Sequence, residues 1–529
     1  MITPTQQPKR WARFRPLVTC ACFVAVGAIM VLHSLTQYIN QDEEQYVAAA
    51  YLMRHLRLYA DFLYNQLPIY PLILSGVLTL LPTESPFLLA RLLSAALATG
   101  SIFVFFALAR RLSEDALFGI LATCLFASAP LMLLAFGWTR NDIMPIFFGL
   151  CGVWFFLRGV DDRNKDARNG AQFFLAGLLM ALAVGSKITA AFIPACAILA
   201  LLGRPKRLIP LVAGGALGSV PILYYAAATF DNFIYCNYTF HNTAPVQYYT
   251  DHGIPAEVLG FSGRARDTLI ICMREPTLIL AAIFIVFAIF SAWRERLSLN
   301  DIVRSLGARR IFIFCLAVAS IPVVLLPTPA SEAYVQPAVP YLLLSCAALY
   351  PLARKCIERR QLLIFGLVSV VVLSLQLGRY AIEAVQRLDP SKWTTAQVYD
   401  LSSLIRGKVE GGAVASAYPL LVLDAGGQIY REFATGVFFF RSADHLTPER
   451  VSQLNGISPS TIPMVFRAEP PPAILVSDTY VERPLLTWAT DHCYNEIALN
   501  GWGGGPYVEA QWKPRLFVRP PDQSSCRKG

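Results

Sequence analysis

The sequence predicts a polytopic α-helical membrane protein that ends in a smaller extracytoplasmic domain of mixed α/β structure. Three observations carry this expectation. Hydrophobic residues make up 55% of the chain and charged residues only 15%, at a mean hydropathy of +0.49, whereas an average soluble domain is about 25% charged. About eleven apolar runs approach the ~20 residues that a helix needs to cross a bilayer. Residues 386–529 then return to ordinary polarity.

The first run, PLVTCACFVAVGAIMVLHSL at 16–35, carries no charge and is followed by no small-residue cleavage site, so it reads as a retained helix. Further spans are expected near 86–108, 116–136, 143–157, 171–186, 188–203, 208–229, 277–293, 311–327, 337–353 and 361–378. The segment PIYPLILSGVLTLLP, 68–82, is short for a span and bounded by prolines. It reads as an interfacial or re-entrant helix. With that segment left out of the count, the basic clusters Arg110/Arg111, Arg158/Arg163/Lys165/Arg168, Arg204/Lys206/Arg207, Arg294/Arg296/Arg304/Arg309/Arg310 and Arg354/Lys355/Arg359/Arg360 share one side with Lys9, Arg10, Arg13 and Arg15. Positive-inside asymmetry makes that side cytoplasmic. A transmembrane module at 1–385 then presents outer loops 39–85 and 230–276, and the domain at 386–529 lies outside, periplasmic if the host is a bacterium. The basic loops account for the net charge of +10, which implies no nucleic-acid partner.

In the C-terminal part, GAVASAYPLLVLDAG and PPAILVSD are short apolar runs punctuated by Gly and Pro, and SLIRGKVE reads as a helix end. NGWGGGPY at 500–507 is a glycine-rich turn without the strand-to-helix setting of a nucleotide site. Most of the 12 cysteines fall in apolar runs, where Cys serves as a small hydrophobe. On the outer side, Cys236/Cys272 and Cys493/Cys526 are two pairs open to bridging in an oxidising compartment.

Chemistry is expected where charges are held at the membrane. DEEQYVAAAYLMRHL reads as an amphipathic helix with Tyr46, Ala49, Ala50, Met53 and Leu56 on one face and Asp42, Glu43 and Glu44 in its first turn. There the helix dipole favours ionised carboxylates. YADFLYNQLPIYP adds Asp61 and a group of aromatics, and GWTRNDIMP puts Arg140 and Asp142 on the same outer side. Arg91 and Lys187 are cations at depths where charge is costly. Snorkelling to headgroups competes as a reading of Lys187 and Arg140, and a buried structural ion pair as a reading of Arg91 and Asp142. DNFIYCNYTFHNTAPVQYYTDHG, 231–253, with His241 and His252, suits either sugar stacking or an interfacial aromatic belt.

DEEQYVAAAYLMRHLRLYADF resembles the Asp-Glu-x-x-Tyr, small-residue helix and Tyr-x-Asp-Phe pattern of membrane glycosyltransferases of the GT-C fold. The similarity is to the branch of dolichyl-phosphate-mannose protein mannosyltransferases and the lipid A aminoarabinose transferase. LLARLLSA (Arg91), TRNDIMPIFF (Arg140, Asp142), ALAVGSKITA (Lys187) and YVQPAVPYLLL (Tyr334, Gln336, Pro337, Pro340) follow in the family's order across about residues 15–385.

The resemblance implies inverting transfer of a sugar from a polyprenyl-phosphate donor to a cell-envelope acceptor at the outer face of a bacterial inner membrane. It gives Asp42 the task of activating or orienting the acceptor, with Tyr46 and Asp61 belonging to the same motif. Glu43 has either an acceptor contact or a divalent metal ion as its partner, or is a solvated helix-end carboxylate. No other cofactor is implied. Arg91, Arg140 and Lys187 are the cations for the leaving phosphate, Asp142 their partner, and Tyr334 and Gln336 neighbours of the donor. One position departs from the pattern: the aminoarabinose branch resembles Lys-Pro-Pro where this chain has Gln66, Leu67 and Pro68. Gln66 cannot supply that charge. A glycolipid acceptor such as lipid A is favoured over a protein. A transporter or flippase and a non-enzymatic envelope scaffold are the readings from other classes.

Overall fold

The computed structural model describes residues 9–161, 166–409, 412–477, 479–499 and 514–520. Among these, eight helices are long and apolar enough to cross a membrane, and a bent pair makes a ninth. The chain is an integral membrane protein. In order, α1 is Lys9–Thr36, α2 Gln41–Leu52, α3 Ile69–Leu80, α4 Pro86–Ser113, α5 Ala116–Ser128, α6 Pro130–Gly137, α7 Ile143–Asp161, α8 Asp166–Ser186, α9 Phe192–Leu201 and α10 Pro205–Ala228. Long helices then run over Pro276–Arg294, Leu299–Val324, Val339–Cys356 and Arg359–Arg387.

Every predicted apolar segment is helical, but they do not make eleven equal spans. The segment at 116–136 breaks into α5 and α6, bent by 64°. Pro130 has no amide to continue the ladder, and the next amide, Leu131 N, donates instead to the buried Glu275 Oε2 at 3.0 Å. The segment at 188–203 is a 3₁₀ turn, Ile188–Ala191, followed by the ten-residue α9. The described apolar part of α1 is Cys20–Thr36, and α3, with 12 residues, is too short to cross. Within the bundle, α8 and α10 touch backbone to backbone: a Cβ at Gly177 would lie 1.9 Å from Leu211 O, and one at Gly214 1.9 Å from Phe174 O. Only glycine permits that approach.

The C-terminal part carries a five-stranded sheet in the order β2-β1-β3-β5-β4, from β1 Ala413–Ala415, β2 Gln428–Ile429, β3 Ala473–Val476, β4 Asn495–Ile497 and β5 Arg515–Val518. β1 runs parallel to β2 and β3, while β5 is antiparallel to β3 and β4. The continuous apolar run Ala473–Val476 is buried at every position, as a central strand requires. Cys236 and Cys272 are free thiols and not a bridge. Cys236 packs into the core beneath the outer loops, and Cys272 lies against the bundle core. Cys493 is disulfide-bonded; Cys526 and the 500–507 turn lie outside the described residues.

The expected amphipathic helix at 42–56 is corrected on two counts. It stops at Leu52, and it is buried on all sides, from Glu43 through Ala50 and at Leu52. A second covering layer arrives from far along the chain: the buried helix Pro419–Asp424 lies against α2, and Glu44 Oε2 accepts the Leu420 amide at 2.7 Å. The segment 39–85 and the C-terminal sheet therefore share one apolar core, with Tyr46, Phe62 and Leu74 in the same cluster as Leu421, Phe440 and Ile474.

Two polar ties fix this assembly. Asp424 accepts from Ser85 Oγ at 2.6 Å and from Phe87 N at 3.1 Å, so a C-terminal carboxylate caps the first turn of α4. Inside, Arg91 has no exposed surface and clamps four segments. Its Nη2 pairs with Glu43 Oε2 at 2.6 Å and donates to Tyr38 O at 3.1 Å. Its Nη1 donates to Ser34 O at 2.5 Å and to Gly137 O at 2.8 Å.

The Arg91 clamp and the Asp424 cap make two predictions. Arg91→Met strands a buried carboxylate and is expected to cost about 3–5 kcal/mol, read as a lower Tm of the purified protein, whereas Glu43→Gln combined with Arg91→Met costs clearly less; equal losses would refute the pairing. Burial raises the Asp424 carboxyl to about 6, so the docked state favours its neutral form. That contribution is complete below the ordinary Asp value of about 3.9 and is lost as the pH rises through about 6. The Tm advantage of wild type over Asp424→Asn should therefore shrink across this interval and stay constant above it. An advantage that grows with pH would contradict the assignment.

Candidate active site

Asn40 starts α2 with a capping box: its Oδ1 accepts the Asp42 amide at 3.0 Å, and Glu43 Oε2 accepts the Asn40 amide at 2.9 Å. Successive side chains then point about 100° apart around the helix, and the three acids separate. Asp42 faces a cavity of about 440 Å³ between the outer loops and the C-terminal part. Glu43 turns inward to Arg91, and Glu44 turns to the C-terminal helix.

The Asp42 side chain keeps 22% of its surface exposed and pairs through Oδ2 with Arg140 Nη2 at 2.8 Å. Gln45 Nε2 donates to its Oδ1 at 3.3 Å. Arg140 Nε lies 3.1 Å from Asp142 Oδ2, and Asp142 Oδ1 in turn pairs with Lys187 Nζ, which sits 5.1 Å from the centre of the Tyr334 ring. Two acids and two bases thus form one chain of alternating charge. Against desolvation, which pushes the Asp142 carboxyl up, Lys187 and Arg140 hold it below the usual range. Against the same desolvation, Asp42 and Asp142 raise Arg140, so its guanidinium stays charged. Opposing polar groups complete the wall: His241, whose Nε2 lies 2.6 Å from Asn65 O, Gln66, whose Oε1 accepts from Asn141 Nδ2 at 3.1 Å, and Tyr334. Burial lowers the His241 imidazole below its ordinary value, against that hydrogen bond.

The predicted residues divide. Asp42, Arg140 and Tyr334 line the cavity; Asp142 and Lys187 lie directly behind it in the charge chain. Glu43 and Arg91 do not line it. Glu43 Oε1 accepts the Thr139 amide at 2.6 Å and Oε2 is shared by Arg91 and Asn40, so the carboxylate is committed to fold contacts, with no oxygen turned to an acceptor or a metal. Burial pushes this carboxyl up, against the pull of Arg91. Arg91 spends both terminal nitrogens on the clamp and turns neither to the cavity. Tyr46 is buried edge-on to Tyr70 and Tyr64, at 5.1 and 6.2 Å. Asp61 sits away from the cavity, paired with the exposed Arg57 at 2.8 Å. Gln336 is buried in the turn Gln336–Ala338 and does not reach the wall. Among the described residues no group of three or more His, Cys, Asp or Glu side chains is gathered to hold a metal ion.

Sequence reasoning missed the contributions from the C-terminal part, Tyr418, Phe438 and Arg441, all of which line the cavity. FFFRSAD around Arg441 has no local signal, because the folding of the C-terminal part over the outer loops is what brings it there.

Residues 58–207 match the family model of dolichyl-phosphate-mannose-protein mannosyltransferases. The matched stretch holds Arg91, Arg140, Asp142 and Lys187 and begins after Asp42. No curated protein matches the chain in sequence. The crystal structure of ArnT from Cupriavidus metallidurans bound to undecaprenyl phosphate aligns with 95% of this chain and 98% of its own, at 14% identity and a TM-score of 0.60. The apo form of the same protein aligns with 96% of this chain and 100% of its own, at 12% identity and a TM-score of 0.59. This likeness shows a common fold over nearly the whole chain. The chain therefore has the GT-C fold of ArnT, and within it residues 58–207 are similar to the protein mannosyltransferase family.

Proposed function

We propose that this chain transfers a sugar from a polyprenyl-phosphate donor to a cell-envelope glycolipid, such as lipid A, on the outer face of a bacterial inner membrane, with inversion at the anomeric carbon. The observation that carries the reading is the Asp42–Arg140 pair, set in the wall of a polar cavity at the level where the apolar spans end and the C-terminal part begins. A lipid-linked donor keeps its prenyl tail among the spans while its phosphosugar reaches such a cavity. The basic loops grouped with the N-terminus support a cytoplasmic N-terminus and an outward cavity.

In this reading an acceptor hydroxyl beside Asp42 passes its proton to the carboxylate as its oxygen bonds to the anomeric carbon. The bond from that carbon to the phosphate oxygen breaks on the opposite side, and the electron pair leaves with the polyprenyl phosphate. A phosphate acceptor is already ionised, and then Asp42 orients it. Arg140 holds the carboxylate in place and, through Asp142 and Lys187, is itself held. Glu43 and Arg91 act as positioning residues: the Thr139 amide bound to Glu43 immediately precedes Arg140. The match of residues 58–207 to protein mannosyltransferases favours a protein acceptor as the second reading.

Envelope glycolipids from cells lacking the protein, complemented with wild type or Asp42→Asn, test this by mass spectrometry. A single sugar-sized increment should return with wild type only, with Asp42→Asn lowered by about 10²-fold or more for loss of a general base. Equal complementation by both would remove Asp42 from the chemistry. An increment found on proteins and on no glycolipid would select the second reading, and no increment on either would reject transfer.

A further inference from the structure

The cavity holds one cation that the charge chain leaves out. Arg140 is shared by Asp42 and Asp142, Lys187 is taken by Asp142, and Arg91 by Glu43. Within the chain of four, the two acids and two bases cancel. Arg441 follows the short helix Val437–Phe440 of the C-terminal part and lines the same cavity. Among the described residues it forms no ion pair. Its guanidinium carbon lies 4.2 Å from the centre of the Tyr248 ring and 4.9 Å from that of Phe438.

Two aromatic faces attract and orient a guanidinium through their quadrupoles without using its N–H donors. Tyr248 is itself tied by its hydroxyl to that of Tyr480, and Asp251 on the same helix, Phe240–Asp251, pairs with His445 Nε2 at 2.7 Å. The Arg441 side chain is therefore seated on a braced surface with its forked donors unspent. A planar fork of that kind, beside a cavity and free of carboxylates, matches the oxygens of a phosphate. The remaining side-chain amides on this wall, among them Gln45 and Gln66, carry no charge.

We propose that Arg441 is the phosphate-binding residue of the cavity, so that the C-terminal part supplies the cation that, among the described residues lining the cavity, the membrane module does not leave free. The identity of the lipid rests on the glycosyl-transfer reading: the phosphate belongs either to the polyprenyl donor or to a phosphorylated glycolipid acceptor. Both present the same chemistry to the guanidinium.

The test uses the full-length protein in nanodiscs and two pairs of probes, undecaprenyl monophosphate with undecaprenol, and a phosphorylated glucosamine-disaccharide lipid with its dephosphorylated form. Wild type should bind at least one phosphorylated probe more tightly than its neutral counterpart. Arg441→Gln should weaken that probe about tenfold or more, as for a lost charge-assisted contact, with neutral binding unchanged, and Arg441→Lys should fall between. Loss on the undecaprenyl pair assigns the donor phosphate, and loss on the disaccharide pair the acceptor phosphate. Unchanged phosphate preference in Arg441→Gln, or an equal loss of neutral and charged probes, overturns the proposal while leaving the transferase reading intact. A wild type that prefers neither phosphate overturns both.

Discussion

A single guanidinium without exposed surface organises the half of this protein that meets the C-terminal part. Arg91 rises from the first turns of α4 and meets carbonyls of α1, of the turn after it and of the end of α6, together with the carboxylate of Glu43. A charge buried this deeply is tolerable only when its donors are met by acceptors in fixed places, so the clamp restricts where four segments can lie. The other oxygen of Glu43 holds the Thr139 amide, which sets the chain entering Arg140 and Asp142. The geometry at Asp42 is thus inherited from a pair that never faces the cavity.

The second constraint is the sharing of one apolar core between the segment 39–85 and the C-terminal sheet. At 12 residues, helix α2 is too short to be stable as a lone helix. It becomes rigid because spans cover one side and Pro419–Asp424 covers another. That arrangement sets a polar cavity between membrane module and C-terminal part, with walls drawn from both. The lipid-linked donor proposed for this chain fits such a boundary, since its tail and its sugar need opposite solvents.

Much of this is legible along the chain, and particular residues show where legibility stops. The spans can be read because hydrocarbon demands a long apolar run from each one, whatever its neighbours. The break at Ala129–Pro130 was hidden in a run of sufficient length, since a composition window does not register one missing amide. Asp42, Glu43 and Glu44 share one sequence context, yet only the first reaches the cavity, because a helix turns each successive side chain toward a different neighbour. The expected amphipathic face failed for a related reason: one of the apolar partners of α2 lies more than 350 residues further on. Arg441 carries no local mark at all.

The sequence by itself determined the membrane class, the order of helices and the existence of a mixed α/β part, and a family resemblance pointed to Asp42, Arg140, Asp142 and Lys187. The first three follow from local composition and from the spacing of charges against apolar runs. Tertiary structure alone decided which charges are spent on one another and which remain free to meet a substrate. Charge pairing depends on distances of a few ångströms between segments far apart in sequence, and those distances exist only after the two parts have closed on a common core.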